Sequence, residues 1–477
     1  MIIKICLAQP YVKPCNLAEN FQKIISYAEQ AYKNGANMLF LPSDALTGKD
    51  LGTLENQTDF RRDAANYRIR LQQLIKNRLQ IIFTDDYDFC GYQIQPKSVG
   101  ISTLGKIIKV SSGSSAIFNN RGHAVVRAKA FAEDFLTVEL ETLDGNIKMA
   151  PPPAPLPEGS DFIYKQLYFG TKEFFNIIGI KKIVLGLSGG IDSAVAAALY
   201  CQILGAKNVI TVNMPSEYNS ATTKEVAKNI AHNLDCQYLV IPISKSVQEL
   251  QKMLTDNNLN NSGLILENIQ ARERGARILA AVAAANNAAV SCNSNKAELT
   301  VGYTTFYGDM TGVLSIIGDL WKYQVYNLGR YINEKIYQSQ VIPEAAFQIR
   351  PSAELSEEQT VGNGGDPLYY PYHDYLFNAF TKNITPTKLA QWYQDKTLEE
   401  KLGCRIGILD TLFKKQPKAF FDDLEYWYNA YRGLAVAKRL QSPPIIAVSE
   451  TPFTFPEPQL KPYYSQEYKD IKNTLLQ

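Results

Sequence analysis

Histidine is nearly missing from this chain: three residues in 477. The seven cysteines stand apart at Cys6, Cys15, Cys90, Cys201, Cys236, Cys292 and Cys404, and none forms a C-x-x-C pair. Together these shortages exclude a zinc-finger module and a disulfide framework, and they fit a reducing compartment. Large charge of either sign is also missing. The net formal charge is +2 and no long basic block occurs, so neither nucleic acid nor an anionic membrane is called for. The N-terminus MIIKICLAQP is broken by Lys4 and Pro10 and lacks the apolar core of a secretion signal. The apolar tract around Ile278–Val290 carries Asn286 and Asn287, which suits a buried helix rather than a membrane span. The expected location is the cytoplasm. Neither GxxxxGK[ST] nor GxGxxG occurs.

What the chain does have is KKIVLGL-SGGIDS-AVAAALYCQIL, from Lys181 to Leu204. A β-branched apolar run leads into a glycine turn, and a helix of small residues follows. This reads as a buried parallel strand delivering a loop to a helix N-terminus. Free amides and the helix dipole favour an anion there. Gly189 and Gly190 let the backbone come close, Ser188 and Ser193 add hydroxyls, and Asp192 can hold a cation on phosphates. SGGxDS after a strand resembles the PP-loop of ATP pyrophosphatases. That resemblance implies cleavage of ATP to AMP and pyrophosphate.

At 477 residues the chain is too long for one core. Residues 1–150 alternate strands (IIKICLAQP, ANMLFLP, LQIIFTD) with helical segments, then run into short strands with a hairpin turn at Asn120, Arg121 and Gly122. Residues 151–160, PPPAPLPEGS, read as a stiff linker. Residues 161–477 start with strand–helix–strand alternation, which predicts a doubly wound parallel sheet with ligands at the carboxyl ends of its strands. Beyond about residue 340 the chain is Tyr- and Pro-rich and reads as less regular.

Four segments follow SGGIDS in order: ENIQARERG, NSNKAELTVGYTTFYGDMTG, GDLWKYQVYNLGRY and RPSAEL. With them, nearly the whole chain resembles glutamine-dependent NAD synthetase. The fold this implies is a nitrilase-like α/β domain followed by a PP-loop domain of the adenine nucleotide alpha hydrolase type. The activity it implies is adenylation of the nicotinate carboxylate of deamido-NAD, followed by displacement of AMP by ammonia. ATP and Mg²⁺ are the implied cofactors and a homodimer or larger homo-oligomer the implied assembly.

Carried over residue by residue, Ser188, Gly189, Gly190, Ile191, Asp192 and Ser193 would cradle the phosphates. Asp192 and Glu298 would hold Mg²⁺, and Lys322 would reach the ATP phosphates. Ser352 would stand near ATP. Arg272 would meet the dinucleotide, Asp309 would lie in the substrate loop, and Lys438 and Arg439 would contact the acidic substrate. Asn293 and Ser294 replace the family's Thr-Gly or Thr-Ser, and Asn293 can still hydrogen-bond ATP. The same chemistry would serve nicotinate mononucleotide, and a non-catalytic nucleotide-binding regulator is the alternative of another class.

The first 150 residues resemble a nitrilase-type glutaminase, which requires a Glu base, a Lys and a Cys nucleophile. Ser43 stands at the Glu position in LPSDALTG. The Lys and Cys segments look deleted, and Cys90 precedes the nucleophile's place. This half reads as truncated and catalytically dead, so ammonia rather than glutamine is the expected nitrogen donor.

Overall fold

The computed structural model describes residues 2–75, 78–141, 146–352, 354–356, 366–452 and 461–477. Ala353 of the RPSAEL segment therefore lies outside the described residues. The chain divides into two compact units, residues 1–104 with 108–174 and residues 105–107 with 175–477.

In the first unit β1 (Ile2–Gln9) is the central strand of its sheet: β10 (Asp134–Glu141) pairs antiparallel on one side and β2 (Met38–Leu41) parallel on the other. β3 (Gln80–Phe83) and β11 (Ile147–Met149) complete the order β11-β10-β1-β2-β3. Strand alternation sends Ile5 and Leu7 to one face and Cys6 and Ala8 to the other. Ile5 and Leu7 meet Ile94, Ile117 and Val126 of a second sheet, built from β4 (Tyr87–Phe89), β5 (Tyr92–Gln95), β8 (Ala116–Phe118) and β9 (Ala124–Arg127). Cys6 and Ala8 meet α1 (Leu17–Lys33) and α2 (Thr58–Ile75). α1 buries Leu17, Phe21, Ile24, Ala28 and Ala31, a single stripe at helical spacing, and the Asn16 side chain caps it by accepting from Glu19 N.

β6 (Val99–Leu104) and β7 (Ile107–Ser112) lie between β5 and β8 in sequence. The Pro-rich stretch belongs to the first unit, where Ala154 N donates to Arg127 O at 3.0 Å. So does most of α3 (Gly159–Ile178), whose Phe162 and Phe169 pack on Phe131.

Among the described residues the second unit holds six parallel strands: β12 (Ile183–Gly186), β13 (Val209–Asn213), β14 (Gln237–Val240), β15 (Ala289–Cys292), β16 (Leu314–Ser315) and β17 (Ile445–Ile446). Their spatial order is β14-β13-β12-β15-β16-β17, so the chain reverses direction across the sheet between β12 and β15. In such doubly wound sheets that reversal opens a crevice at the strand carboxyl ends. α4 (Ile191–Leu204) follows β12, and its run Ser193–Cys201 is buried throughout. A helix apolar on all sides is a core helix. Next come α5 (Ala221–Asn233), α6 (Ser244–Asp256), α7 (Leu264–Arg272), α8 (Ala280–Ala285), α9 (Lys296–Val301), α10 (Lys322–Tyr331), α11 (Glu344–Gln348) and α12 (Tyr370–Thr381).

The Tyr- and Pro-rich tail is more regular than the sequence reading expects. Its prolines open helices: Pro371 in α12, Pro386 in the Pro386–Gln394 helix and Pro417 in the Pro417–Arg432 helix. Proline fits the first helical turn because its missing N–H has no partner to lose there. The tyrosines and phenylalanines of these helices fill one core with Trp321, Phe377, Phe380, Phe420 and Trp427. Among the described residues no helix is long and apolar enough to cross a membrane.

Candidate functional site

A cavity of about 610 Å³ opens in the second unit at the β12/β15 reversal. Ser188, Gly190, Ile191, Asp192 and Ser193 form one wall. Hydroxyls organise the loop: Ser188 Oγ accepts from Gly190 N at 3.2 Å, and Ser193 Oγ donates to Gly190 O at 3.0 Å and accepts from Ser188 N at 3.3 Å. Gly189 has φ +94°, and a Cβ there would stand 2.2 Å from Thr223 O, so the turn admits no side chain. Asn293 bridges the two strand ends, its Nδ2 donating to Gly186 O at 2.9 Å.

The charged centre lies in the first turn of α4. Lys322 Nζ, from the first position of α10, donates to Asp192 Oδ2. Asn295 Nδ2 reaches Asp192 Oδ1 at 3.5 Å and Glu298 Oε1 at 2.8 Å. Asn295 caps α9 reciprocally with Glu298, which holds Glu298 at the helix start facing the cavity. Tyr370 OH donates at 3.3 Å to Glu298 Oε1 and also reaches Asp366 Oδ2 at 3.1 Å. Burial, with the charge of Asp192 beside it, holds the Glu298 carboxyl well above the usual range. Burial opposes the charge on Lys322, but Asp192 and Glu298 together raise its pKa above the ordinary lysine value.

Among the described residues no three His, Cys, Asp or Glu side chains converge as a ready-made metal cage. Asp192 and Glu298 nevertheless suit Mg²⁺, which proteins hold through one or two carboxylates while substrate phosphates and water fill its remaining positions.

On the far wall, α7 passes into a π-helical segment, Glu273–Leu279. Such widened turns recur at functional sites. Here one brings Gly275 onto the loop after α9: a Cβ on Gly275 would lie 1.9 Å from Gly308 O. Arg272 and Arg274 both line the cavity. Arg272 Nε donates to Phe306 O at 3.2 Å. Arg274 is fixed by Met214 O at 3.1 Å and Asn219 Oδ1 at 3.3 Å, and burial lowers its pKa to about 10. Asp309 accepts from Thr305 N at 2.6 Å, and the crowding of protein around it raises its pKa to about 6. Ser352 lines the cavity too, its Oγ accepting from Glu354 N at 3.1 Å.

The two basic residues near the C-terminus behave differently from each other. Lys438 lines the cavity, but its Nζ donates to the carbonyls of Gly302 and Thr304, so it straps the loop after α9. Arg439 does not reach the cavity. It is buried, and its guanidinium donates to Thr300 O and Tyr431 O. The reason is helical geometry: adjacent residues project about 100° apart, so one of a Lys-Arg pair turns inward.

Several further wall residues are given no role of their own by the sequence reading. Glu354 accepts from Asn219 Nδ2 at 2.8 Å and Thr223 Oγ1 at 3.1 Å, tying a distant segment to the start of α5. Asp366 and Tyr326 likewise arrive from elements far along the chain. Arg274 is flagged only by its spacing from Arg272.

In the first unit, Ser43 is exposed and its Oγ donates to Asp85 Oδ2 at 2.8 Å. Asp44 points inward, accepting from Ser98 Oγ at 2.7 Å. Cys6 is buried, while Cys15 and Cys90 sit at positive φ. His123 is exposed in its turn.

Residues 163–416 match the family model described as NAD synthase. The glutamine-dependent NAD(+) synthetase of Aquifex aeolicus is 36% identical over 319 residues, covering 59% of this chain and 54% of that protein. That of Synechocystis sp. is 34% identical over 287 residues, covering 59% and 50%. The chain thus spans about half the length of the curated relatives it matches. Among solved structures, a glutamine-dependent NAD(+) synthetase from Cytophaga hutchinsonii aligns over 100% of both chains with TM-score 0.71 at 13% identity. The one from Acinetobacter baumannii covers 97% of this chain and 98% of its own, with TM-score 0.63 at 20% identity. At these identities the structural likeness speaks to the fold alone.

Proposed function

The chain belongs to the NAD synthase family, and from that premise we propose that it forms the amide of NAD from deamido-NAD, ATP and ammonia. The observation that carries this is the Lys322–Asp192–Asn295–Glu298 cluster at the mouth of the SGGIDS loop. The reaction has two halves. A carboxylate oxygen of the nicotinate ring attacks the α-phosphorus of ATP, and pyrophosphate leaves. Ammonia then attacks the acyl carbon, AMP leaves with the carboxylate oxygen, and ammonia's proton passes to solvent or base.

Each group has work suited to its place. The amides of Ser188–Ser193 at the α4 N-terminus would bind the departing pyrophosphate. Lys322 would exchange its contact with Asp192 for phosphate oxygens and offset their growing charge. Asp192 and Glu298 would hold Mg²⁺, which supplies Lewis-acid neutralisation of the phosphates when bound. Asn293 and Ser352 would orient ATP. Arg272 and Asp309, on the opposite wall, would face the dinucleotide, with Lys438 keeping their loop in place.

Ammonia as the donor is supported by the first unit. Ser43 occupies the position expected for a glutaminase base and is engaged with Asp85, and the cysteines lie in the core or in turns. By the same reading the protein is a cytoplasmic homodimer in which the first unit serves stability or assembly.

A product assay tests the proposal. Purified protein receives ATP, Mg²⁺, ammonium and either deamido-NAD or nicotinate mononucleotide, and products are identified by mass. NAD, AMP and pyrophosphate in equal amounts are expected from deamido-NAD. Amide formed only from nicotinate mononucleotide would move the substrate assignment, and no amide from either would defeat the reading.

A further inference from the structure

α10 begins at Lys322, and half of a capping box closes its N-terminus, Gln324 Oε1 accepting from Trp321 N at 2.9 Å. The preceding residue is Trp321, whose side chain makes no capping hydrogen bond. The first amides of a helix have no intrahelical partner. Gln324 N finds Trp321 O at 2.9 Å, and Tyr323 N is left to a residue of another helix. Asp374, in the second turn of α12, accepts from Tyr323 N at 3.1 Å through Oδ2, and the Lys322 amide also faces its carboxyl. Asp374 is 1% exposed. Its Oδ1 has no hydrogen-bond partner among the described residues, so nothing else in the fold accounts for a buried carboxyl at this point. One residue on, Tyr375 stacks on Tyr323 with ring centroids 5.6 Å apart, a second tie between the same two helix segments.

We propose that Asp374 is a positioning residue for Lys322, capping α10 from α12 and so fixing where Lys322 Nζ stands opposite Asp192. The inference rests on the ATP-dependent reading above. Burying a carboxyl carries a cost that a purely structural contact could avoid with an apolar side chain. A carboxyl oxygen aimed at two helix-start amides holds the backbone of Lys322 in register, and the long side chain then spans to the first turn of α4. Asp374 never touches the nucleotide. Its effect passes through one lysine.

That dependence makes the test specific. In the full-length protein, Kd for ATP and kcat/KM for ATP are measured for wild type, Asp374→Ala, Asp374→Asn and Lys322→Ala, and for both Asp374 variants combined with Lys322→Ala. Asp374→Ala is expected to weaken ATP use about tenfold, the scale of a lost helix cap. Asp374→Asn keeps an oxygen acceptor and should lose only about threefold. In the Lys322→Ala background neither substitution should weaken ATP binding further, because the residue they position is gone. Equal losses with and without Lys322, or no loss in either variant, overturn the inference. If Asp374→Ala does not fold, the isosteric Asn variant carries the same cycle. A wild type that neither binds nor consumes ATP overturns the functional reading as well, whereas an active wild type with additive Asp374 effects overturns this inference alone.

Discussion

Lys322 and Asp192 form an ion pair across 130 residues of chain, joining the first residue of α10 to the first turn of α4. The pair places a buried ammonium directly beside a loop shaped for phosphate. Lys322 is 3% exposed, so its charge is little screened by water. It is also ready to exchange one anionic partner for another.

Replacing Asp192 or Glu298 by alanine should abolish release of pyrophosphate from ATP, a loss of roughly several kcal/mol of transition-state stabilisation. Far-UV circular dichroism should be unchanged, because both carboxylates face the cavity. Near-normal pyrophosphate release from either variant would show that these carboxylates do not serve the phosphates.

Ammonium should support turnover and glutamine should not. Ser43→Glu alone should leave glutamine unused, because a base without a nucleophile completes no amidase. The check is NAD formation with glutamine freed of ammonia. A rate comparable to that with ammonium would return the first unit to catalysis.

Lys296 sits in the N-K-x-E segment but points away from the cavity. It is fully buried in an ion pair with Asp319 at 2.8 Å and donates to Ser449 Oγ and Thr451 O, both at 2.7 Å. Lys296→Met leaves the Asp319 carboxylate buried without its counter-ion, though still accepting from Val448 N, Ser449 N and Ser449 Oγ, and should lower stability by about 3–5 kcal/mol. Denaturant unfolding measures this. A change below about 1 kcal/mol would mean the site relaxes to admit water.

Asp374 makes stability depend on pH. Burial raises its pKa to about 7, against the opposing contacts from Tyr323 N and Lys322. Lys322, Asp192, Tyr323, Tyr370 and Tyr375 face it. A carboxyl whose folded pKa is raised binds its proton more tightly in the native state. Its contribution is therefore fully present below the unfolded value near 4 and is lost as pH rises through about 7. Asp374→Asn should thus gain on wild type between those pH values, by on the order of a few kcal/mol. Parallel pH–stability curves for the two proteins would contradict this.

The sequence by itself determines the elements whose signals are local. KKIVLGLSGGIDSAVAAAL declares its strand, loop and helix because every feature lies within one strand–turn–helix, and the carboxylate, lysine and asparagine of the later segments do line one cavity. The amphipathic stripe of α1 and its Asn16 cap are equally local. Tertiary structure alone decides the rest. Arg439 turns into the core and Lys438 is taken up by two carbonyls, although adjacent basic residues look alike in a string. Glu354, Asp366 and Asp374 acquire their meaning from partners on distant elements, such as Tyr323 for Asp374, 51 positions away. The tail becomes helical because its prolines fall at helix starts and its aromatics find a common core. Hydrogen bonds and burial act over a few ångströms of space, and only folding brings together residues that the chain keeps far apart.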